Sequence, residues 1–293
     1  VNGVLVVDKP SGPTSFDVVR RVRSLTQTKK VGHTGTLDPL ATGVLAICLG
    51  DATRVAGYIT EGDKAYDAVV RLGQETDTLD AAGKVTAEAT VPPLTAALVD
   101  AQLAKFRGEQ LQTPPMYSAI KVGGRKLYEL ARAGEEVERE PRPVTVYELV
   151  LRDFSATELT LSVKSSKGFF VRSLAQDLGR ALGCGAHLKA LRRTASGPFV
   201  IAQAIPLDKL IHAVEAGPSG LAEVEARLVP VEVALGELPA VAVSASDAEK
   251  VKHGVPVETA VVAPLVRVVG PDGRLLAVAV VERGRLKYRR VLV

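Results

Sequence analysis

The chain has 293 residues, room for one large domain or two unequal ones, and 46% of them are apolar; with 4% aromatics and no Trp, the core must be built mostly of Val, Leu and Ala. Lys and Arg outnumber Asp and Glu by 37 to 33, and the resulting net charge of +4 permits a nucleic-acid partner without demanding one. Two cysteines outside any CxxC pair, Cys48 and Cys184, argue against a zinc site and leave a single disulfide open, although such sparse use points to a reducing compartment.

In chain order, residues 4–7 form an apolar run that fits a buried strand, broken by Lys9-Pro10-Ser11-Gly12-Pro13. Thr14 or Ser15 then caps a helix with Asp17 in its first turn; Val18, Val19, Val22 and Leu25 mark its apolar face, and Arg20, Arg21 and Arg23 its polar side. Residues 31–40 carry glycines, threonines and an Asp-Pro step, the composition of a structured loop. Residues 44–49, including Cys48, read as a buried strand, and 64–72 alternate, with Tyr66, Ala68, Val70 and Leu72 on one face.

Residues 94–106 have a helical pattern. The stretch 113–143 is long, basic and punctuated by Pro and Gly, with a short helix over 126–133 closed by Gly134; a connection of that size is more often functional than idle. Two half-buried strands follow at 144–151 and 157–165, then a helix over 172–182 with Leu174, Leu178 and Leu182 on one face. Residues 213–228 look like a helix-loop excursion. A composition shift near Leu238-Pro239 begins a Val-rich tail whose last two strands are expected at 275–281 and 287–293, which places a domain boundary near residue 235. The irregular mixture of strands and helices predicts an α+β fold. No basic-then-apolar segment opens the sequence, and no apolar run reaches the ~18 residues of a membrane span, so a soluble cytoplasmic protein with no membrane contact is expected.

The common catalytic signatures are missing. Residues 32–43 lack the Gly-Lys-Ser/Thr ending of a Walker loop, no HExxH or GxSxG occurs, and His33, His187, His212 and His253 are scattered. What remains is one carboxylate, Asp38, on a Gly-punctuated loop. An Asp before Pro is a common turn-former. It is also a residue type that can attack a sugar carbon, and without a second acid it suits a reaction with no net hydrolysis.

Gly32-His33-Thr34-Gly35-Thr36-Leu37-Asp38-Pro39-Leu40-Ala41-Thr42-Gly43-Val44-Leu45 resembles the signature of TruB-type pseudouridine synthases nearly letter for letter. Four further blocks fit in order. They are Asp8 to Ser15, Lys64-Ala65-Tyr66, the block from Pro114 to Lys121 continuing to Gly134, and the block from Lys167 to Leu174 together with Gly183 to Leu188 and Leu191-Arg192-Arg193. The resemblance covers about residues 3–200, and the tail from about 238 is more weakly similar to a PUA-type RNA-binding domain.

The resemblance implies a mixed, largely antiparallel central sheet flanked by helices over 1–235, with an RNA-gripping insertion at about 107–143, and a small β-rich PUA-like domain over 236–293. It implies isomerisation of uridine to pseudouridine at position 55 in the T-loop of tRNA, by base flipping, without cofactor or metal, by a monomer acting on the T-arm. Asp38 matches the catalytic aspartate. His33 matches the residue that enters the T-loop, Tyr66 the base-stacking tyrosine, Arg172 the arginine paired with the aspartate, and Leu191 an apolar pocket wall. Phe170 stands where the family often has Tyr, so it can shape and stack but accept no proton. Lys9, Lys121, Arg125, Arg192 and Arg193 are expected to contact RNA. A second reading keeps the scaffold but makes the protein a catalytically silent tRNA binder or folding factor; the intact Asp38, Tyr66 and Arg172 set argues against silence.

Overall fold

The computed structural model describes residues 1–135 and 137–292, so one residue of the expected insertion, 136, and the end of the expected last strand, 293, lie outside it. Among the described residues, ten strands form one mixed sheet. Its main path runs Ile205–Pro206, Gly3–Lys9, Thr42–Leu49, Ala186–Ser196, Lys64–Leu72, Glu158–Ser165, Arg142–Phe154 and Gly108–Gln112. Two of these pairings are parallel, Gly3–Lys9 with Ile205–Pro206 and Thr42–Leu49 with Ala186–Ser196; the others are antiparallel. The expected mixed, largely antiparallel sheet is therefore observed.

The apolar run at the start of the chain forms a strand because both faces of the sheet are covered there. Leu5 and Val7, with Leu45, Ile47 and Leu49, face a core filled by Val18, Val19 and Val22 of the helix Ser15–Thr26 and by Leu174, Ala175 and Leu178 of the helix Val171–Ala181. The alternate residues Val4, Val6, Val44, Ala46 and Cys48 face a second core completed by Phe199, Val231, Leu235, Leu275 and Val278. A strand buried on both sides reads as a continuous apolar run, whereas Lys64–Leu72 keeps its alternation. The helix Ser15–Thr26 starts where expected: Thr14 accepts from the backbone N–H of Asp17, and Asp17 returns a bond to the backbone of Thr14.

The tail builds a four-stranded sheet in the order Ala240–Ala242, Val266–Val269, Leu275–Glu282, Arg285–Val291, with its own core of Val241, Val251, Val266, Val268, Ala277 and Leu286. Leu275 and Val278 turn the other way and pack on the main sheet's second core, so the tail leans on the back of the larger body. The sequence reading missed two of these strands and the helix Ala245–Lys252, which are only three, four and eight residues long.

Two further expectations change. Residues 31–33 are not loop but a three-residue strand, Val31–His33, paired with Leu49, Cys48 and Ile47. Its cause is long-range pairing, which glycine-rich local composition conceals. The excursion at 213–228 is two helices, Leu207–Glu215 and Pro218–Ala226. They cross so closely at Gly220 that a Cβ there would stand 1.6 Å from the carbonyl oxygen of Ala213.

Candidate active site

Asp38 sits on the loop between the strands Val31–His33 and Thr42–Leu49, and three buried side chains over-determine that loop. Ser15 both accepts from the backbone N–H of Leu37 at 2.8 Å and donates to its carbonyl at 3.0 Å. Lys9 donates its ammonium to the carbonyls of Pro10, Pro39 and Ala41 at 2.9, 3.2 and 2.7 Å. Arg193 donates to Val44 at 2.8 Å, to Gly35 at 3.2 Å and to Thr36 at 3.3 Å. The backbone of Arg193 also lies against Gly43, where a Cβ would meet its carbonyl oxygen at 2.2 Å; Gly43 is at φ 101°, so no other residue fits.

These contacts correct two expectations. Lys9 and Arg193 are 0% and 2% exposed, so neither presents its charge at the surface where an RNA phosphate would lie. Both spend their donors on loop carbonyls, which a buried cation requires. Burial pulls the Lys9 ammonium down to about 8, against the attraction of Asp38.

Arg172, just inside the start of the helix Val171–Ala181, reaches across to the loop. Its Nε lies 2.9 Å from Oδ2 of Asp38, and its side chain is 5% exposed against 36% for Asp38. The rest of the guanidinium is occupied: Nη1 donates to the carbonyl of Thr78 at 3.2 Å and Nη2 to that of Tyr117 at 2.8 Å. A second carboxylate, Asp80, buried and 3.9 Å from the same Nε, completes the group. Asp80 was not foreseen; it belongs to a polar turn, Asp77-Thr78-Leu79-Asp80, that looks like any other in the sequence, and only tertiary contact brings it beside Arg172. Burial and the charge of Asp80 push the Asp38 carboxyl above its usual range, while Arg172 and Lys9 pull it back.

A cavity of about 410 Å³ opens over Asp38. Tyr66, Leu191, Phe169 and Phe170 line it with apolar surface, together with Arg172, Arg193 and, from the insertion, Ser118 to Ile120. Tyr66 and Arg193 are neighbours across paired strands, and Leu191 faces Ala68 in the same ladder. Burial raises the Tyr66 phenol above its usual value, opposed by the Arg193 charge, so Tyr66 is un-ionised at neutral pH.

Of the expected site residues, Asp38, Tyr66, Phe170, Arg172 and Leu191 therefore line one cavity. His33 is not in its lining; it is half-buried on the short strand, and burial, then the Arg193 charge, lowers its imidazole pKa. Arg192 is half-exposed outside the cavity and held by both oxygens of Asp8, at 3.1 and 2.7 Å. Lys121 and Arg125 face each other's neighbours on the two-stranded hairpin Lys121–Val122/Arg125–Lys126, exposed, with Arg125 paired to Glu135 at 3.1 Å. Among the described residues no group of three or more His, Cys, Asp or Glu side chains gathers to hold a metal. No helix among them is long and apolar enough to cross a membrane.

Residues 23–171 match the family model for the TruB family pseudouridylate synthase N-terminal domain, and residues 172–236 that for the tRNA pseudouridylate synthase B C-terminal domain. The chain is 46% identical to the tRNA pseudouridine synthase B of Dechloromonas aromatica over 294 aligned residues, which cover 100% of this chain and 96% of that protein. It is also 46% identical to the protein of the same name from Pseudomonas paraeruginosa, with the same coverage. Among solved structures it resembles that of a Cbf5-Nop10-Gar1 complex with a TM-score of 0.78 at 26% identity, over 99% of this chain and 85% of the other. Matched along its length by sequence and by fold, with an aspartate–arginine pair lining its cavity, this chain belongs to the TruB family of pseudouridylate synthases.

Proposed function

We propose that this protein converts uridine 55 in the T-loop of tRNA to pseudouridine, with Asp38 as the reacting carboxylate. The observation that carries the reading is an aspartate lining a largely apolar cavity, 2.9 Å from an arginine whose terminal nitrogens are held by backbone carbonyls. Relatives named tRNA pseudouridine synthase B, matched over the whole chain, support tRNA as the substrate.

The reaction is an isomerisation. The bond from N1 of uracil to C1′ of the ribose breaks, a bond from C5 to C1′ forms, and the C5 proton leaves as N1 takes one up, so the balance closes without oxidant or hydrolysis. A uridine in folded RNA must first be turned out of its stack, at a cost of a few kcal/mol. Tyr66 and Phe170 offset that cost by receiving the base against aromatic surfaces. Asp38 meets the sugar or base as an ionised carboxylate, which Arg172 stabilises. Phe170 has no hydroxyl, and Tyr66 holds its proton at neutral pH, so neither is a ready acceptor for the C5 proton. Exposed Lys121 and Arg125 on the insertion, and the basic tail strand Arg285–Val291, supply phosphate contacts, with the tail in the role of a PUA-like domain.

The test is modification mapping of an unmodified elongator tRNA transcript incubated with the purified protein. Pseudouridine is expected at position 55 alone; conversion confined to another uridine, or none, overturns the reading.

A further inference from the structure

The edge strand Gly108–Gln112 leads into the RNA-facing insertion, and its last residue touches the start of the helix that carries Arg172. Gln112 is buried, and its amide makes two bonds to one residue. Its Oε1 accepts from the backbone N–H of Phe170 at 2.7 Å, and its Nε2 donates to the Phe170 carbonyl at 3.1 Å. Phe170 is the N-cap position of the helix and supplies no side-chain cap. The contact is followed by two more in step: Ser173 donates to the carbonyl of Thr113 at 3.1 Å, and Arg172 to that of Tyr117 at 2.8 Å.

We infer that Gln112 is a positioning residue for catalysis, acting through Phe170 to fix the helix start from which Arg172 reaches Asp38. This rests on the reading of Asp38 and Arg172 as the reacting pair. A side-chain amide that satisfies both the N–H and the C=O of one residue fixes that residue in translation and rotation, as a neighbouring strand would. The residue so fixed presents its ring to the cavity and stands two positions before Arg172. No other side chain caps this helix start, so loss of Gln112 leaves the part-buried N–H of Phe170 without an acceptor, its carbonyl with only the helical bond from Leu174, and the arginine without its anchor. The same three contacts make the root of the insertion part of the active site, so that the grip on RNA and the placement of Arg172 share one piece of backbone.

The experiment is a double-mutant cycle in single-turnover rate constants at saturating enzyme, on unmodified tRNA, with wild type, Gln112→Leu, Arg172→Lys and the double variant. Gln112→Leu is expected to slow the chemical step by roughly 10- to 100-fold, the range that a small misplacement of a catalytic group produces. Its tRNA Kd should stay within about twofold of wild type. In the double variant Gln112→Leu should add less than about threefold to the loss from Arg172→Lys, since residues acting through one another are not additive. Gln112→Asn, shorter by one methylene and still polar, should be slow in the same way, and serves if Gln112→Leu does not fold. Wild-type rates in the folded variants, or full additivity in the cycle, overturn the inference. Asp38→Asn is assayed beside them: if that protein is active, it is the underlying reading that fails, whereas an inactive Asp38→Asn with a fully active Gln112→Leu sinks this inference alone.

Discussion

Arg172 donates from Nε to Asp38 at 2.9 Å while carbonyls of two other segments, Thr78 and Tyr117, take up its remaining reach. The guanidinium cannot swing away from the carboxylate without breaking bonds on both sides. An ion pair at a surface contributes little, but this arginine is almost wholly buried, and removing one partner of a buried pair leaves the other uncompensated. Arg172→Lys keeps the charge and loses the planar fork, so the single-turnover rate should fall by roughly 100-fold with tRNA affinity near normal. Arg172→Ala should cost more. It also removes the main force holding the Asp38 carboxyl down, so the acidic limb of the pH–rate profile should move to higher pH.

Asp80 acts on the same carboxyl in the opposite direction. Its charge disfavours ionisation of Asp38, so Asp80→Asn should let the Asp38 pKa drop and shift the acidic limb to lower pH. The maximal rate should nonetheless fall, by roughly tenfold, because Arg172 loses the second carboxylate that flanks its Nε. Complete pH–rate profiles of Asp80→Asn and Arg172→Ala check both signs; limbs displaced in the same direction would contradict this electrostatic account.

Lys9 is buried and holds the Asp38 loop through its carbonyls. Lys9→Met leaves the carbonyls of Pro10 and Ala41 without this donor, while that of Pro39 keeps the N–H of Gly12. It should lower unfolding stability by about 1–3 kcal/mol. The slope of log Kd for tRNA against log salt should be unchanged, since a buried ammonium neutralises no phosphate. Urea unfolding and a salt titration of tRNA binding measure the two effects separately.

The tail strand Arg285–Val291 exposes Lys287, Arg289 and Arg290. Deleting the tail is a poor test of its role, because Leu275 and Val278 cover the main sheet and each such side chain contributes roughly 1.5–3 kcal/mol of burial. Arg289→Gln with Arg290→Gln leaves that core intact. The pair should weaken binding of full-length tRNA and reduce its salt slope by about 1 for each phosphate no longer neutralised, while an isolated T-arm hairpin binds as before. Equal weakening on both RNAs would place these residues elsewhere in the interface.

Much of this was legible in the sequence, for identifiable reasons. The capped helix Ser15–Thr26, the doubly buried Gly3–Lys9 and Thr42–Leu49, and the alternating Lys64–Leu72 follow from periodicity and capping chemistry. The loop motif and its resemblance brought Asp38, Tyr66, Phe170, Arg172 and Leu191 to one cavity. Residues whose role is set only by long-range contact did not show: Asp80 and Gln112 lie in unremarkable polar stretches, and the strand Val31–His33 exists because Leu49, Cys48 and Ile47 pair with it. Lys9 and Arg193 misled for a related reason. A basic residue in a nucleic-acid-binding chain suggests a phosphate, and nothing local reveals that its donors are already taken by buried carbonyls.

The most direct test of the central claim is the fate of uridine 55 in the presence of Asp38→Asn. That substitution keeps the shape and most hydrogen bonding of the side chain and removes only its charge. Under single-turnover conditions with saturating enzyme, the variant is expected to bind unmodified tRNA with near-normal affinity and to form no pseudouridine at position 55, while the unsubstituted protein converts it fully. Conversion by sequence-verified Asp38→Asn protein at a rate near wild type would contradict the account, since the ionised carboxylate beside Arg172 would then have no part in the reaction.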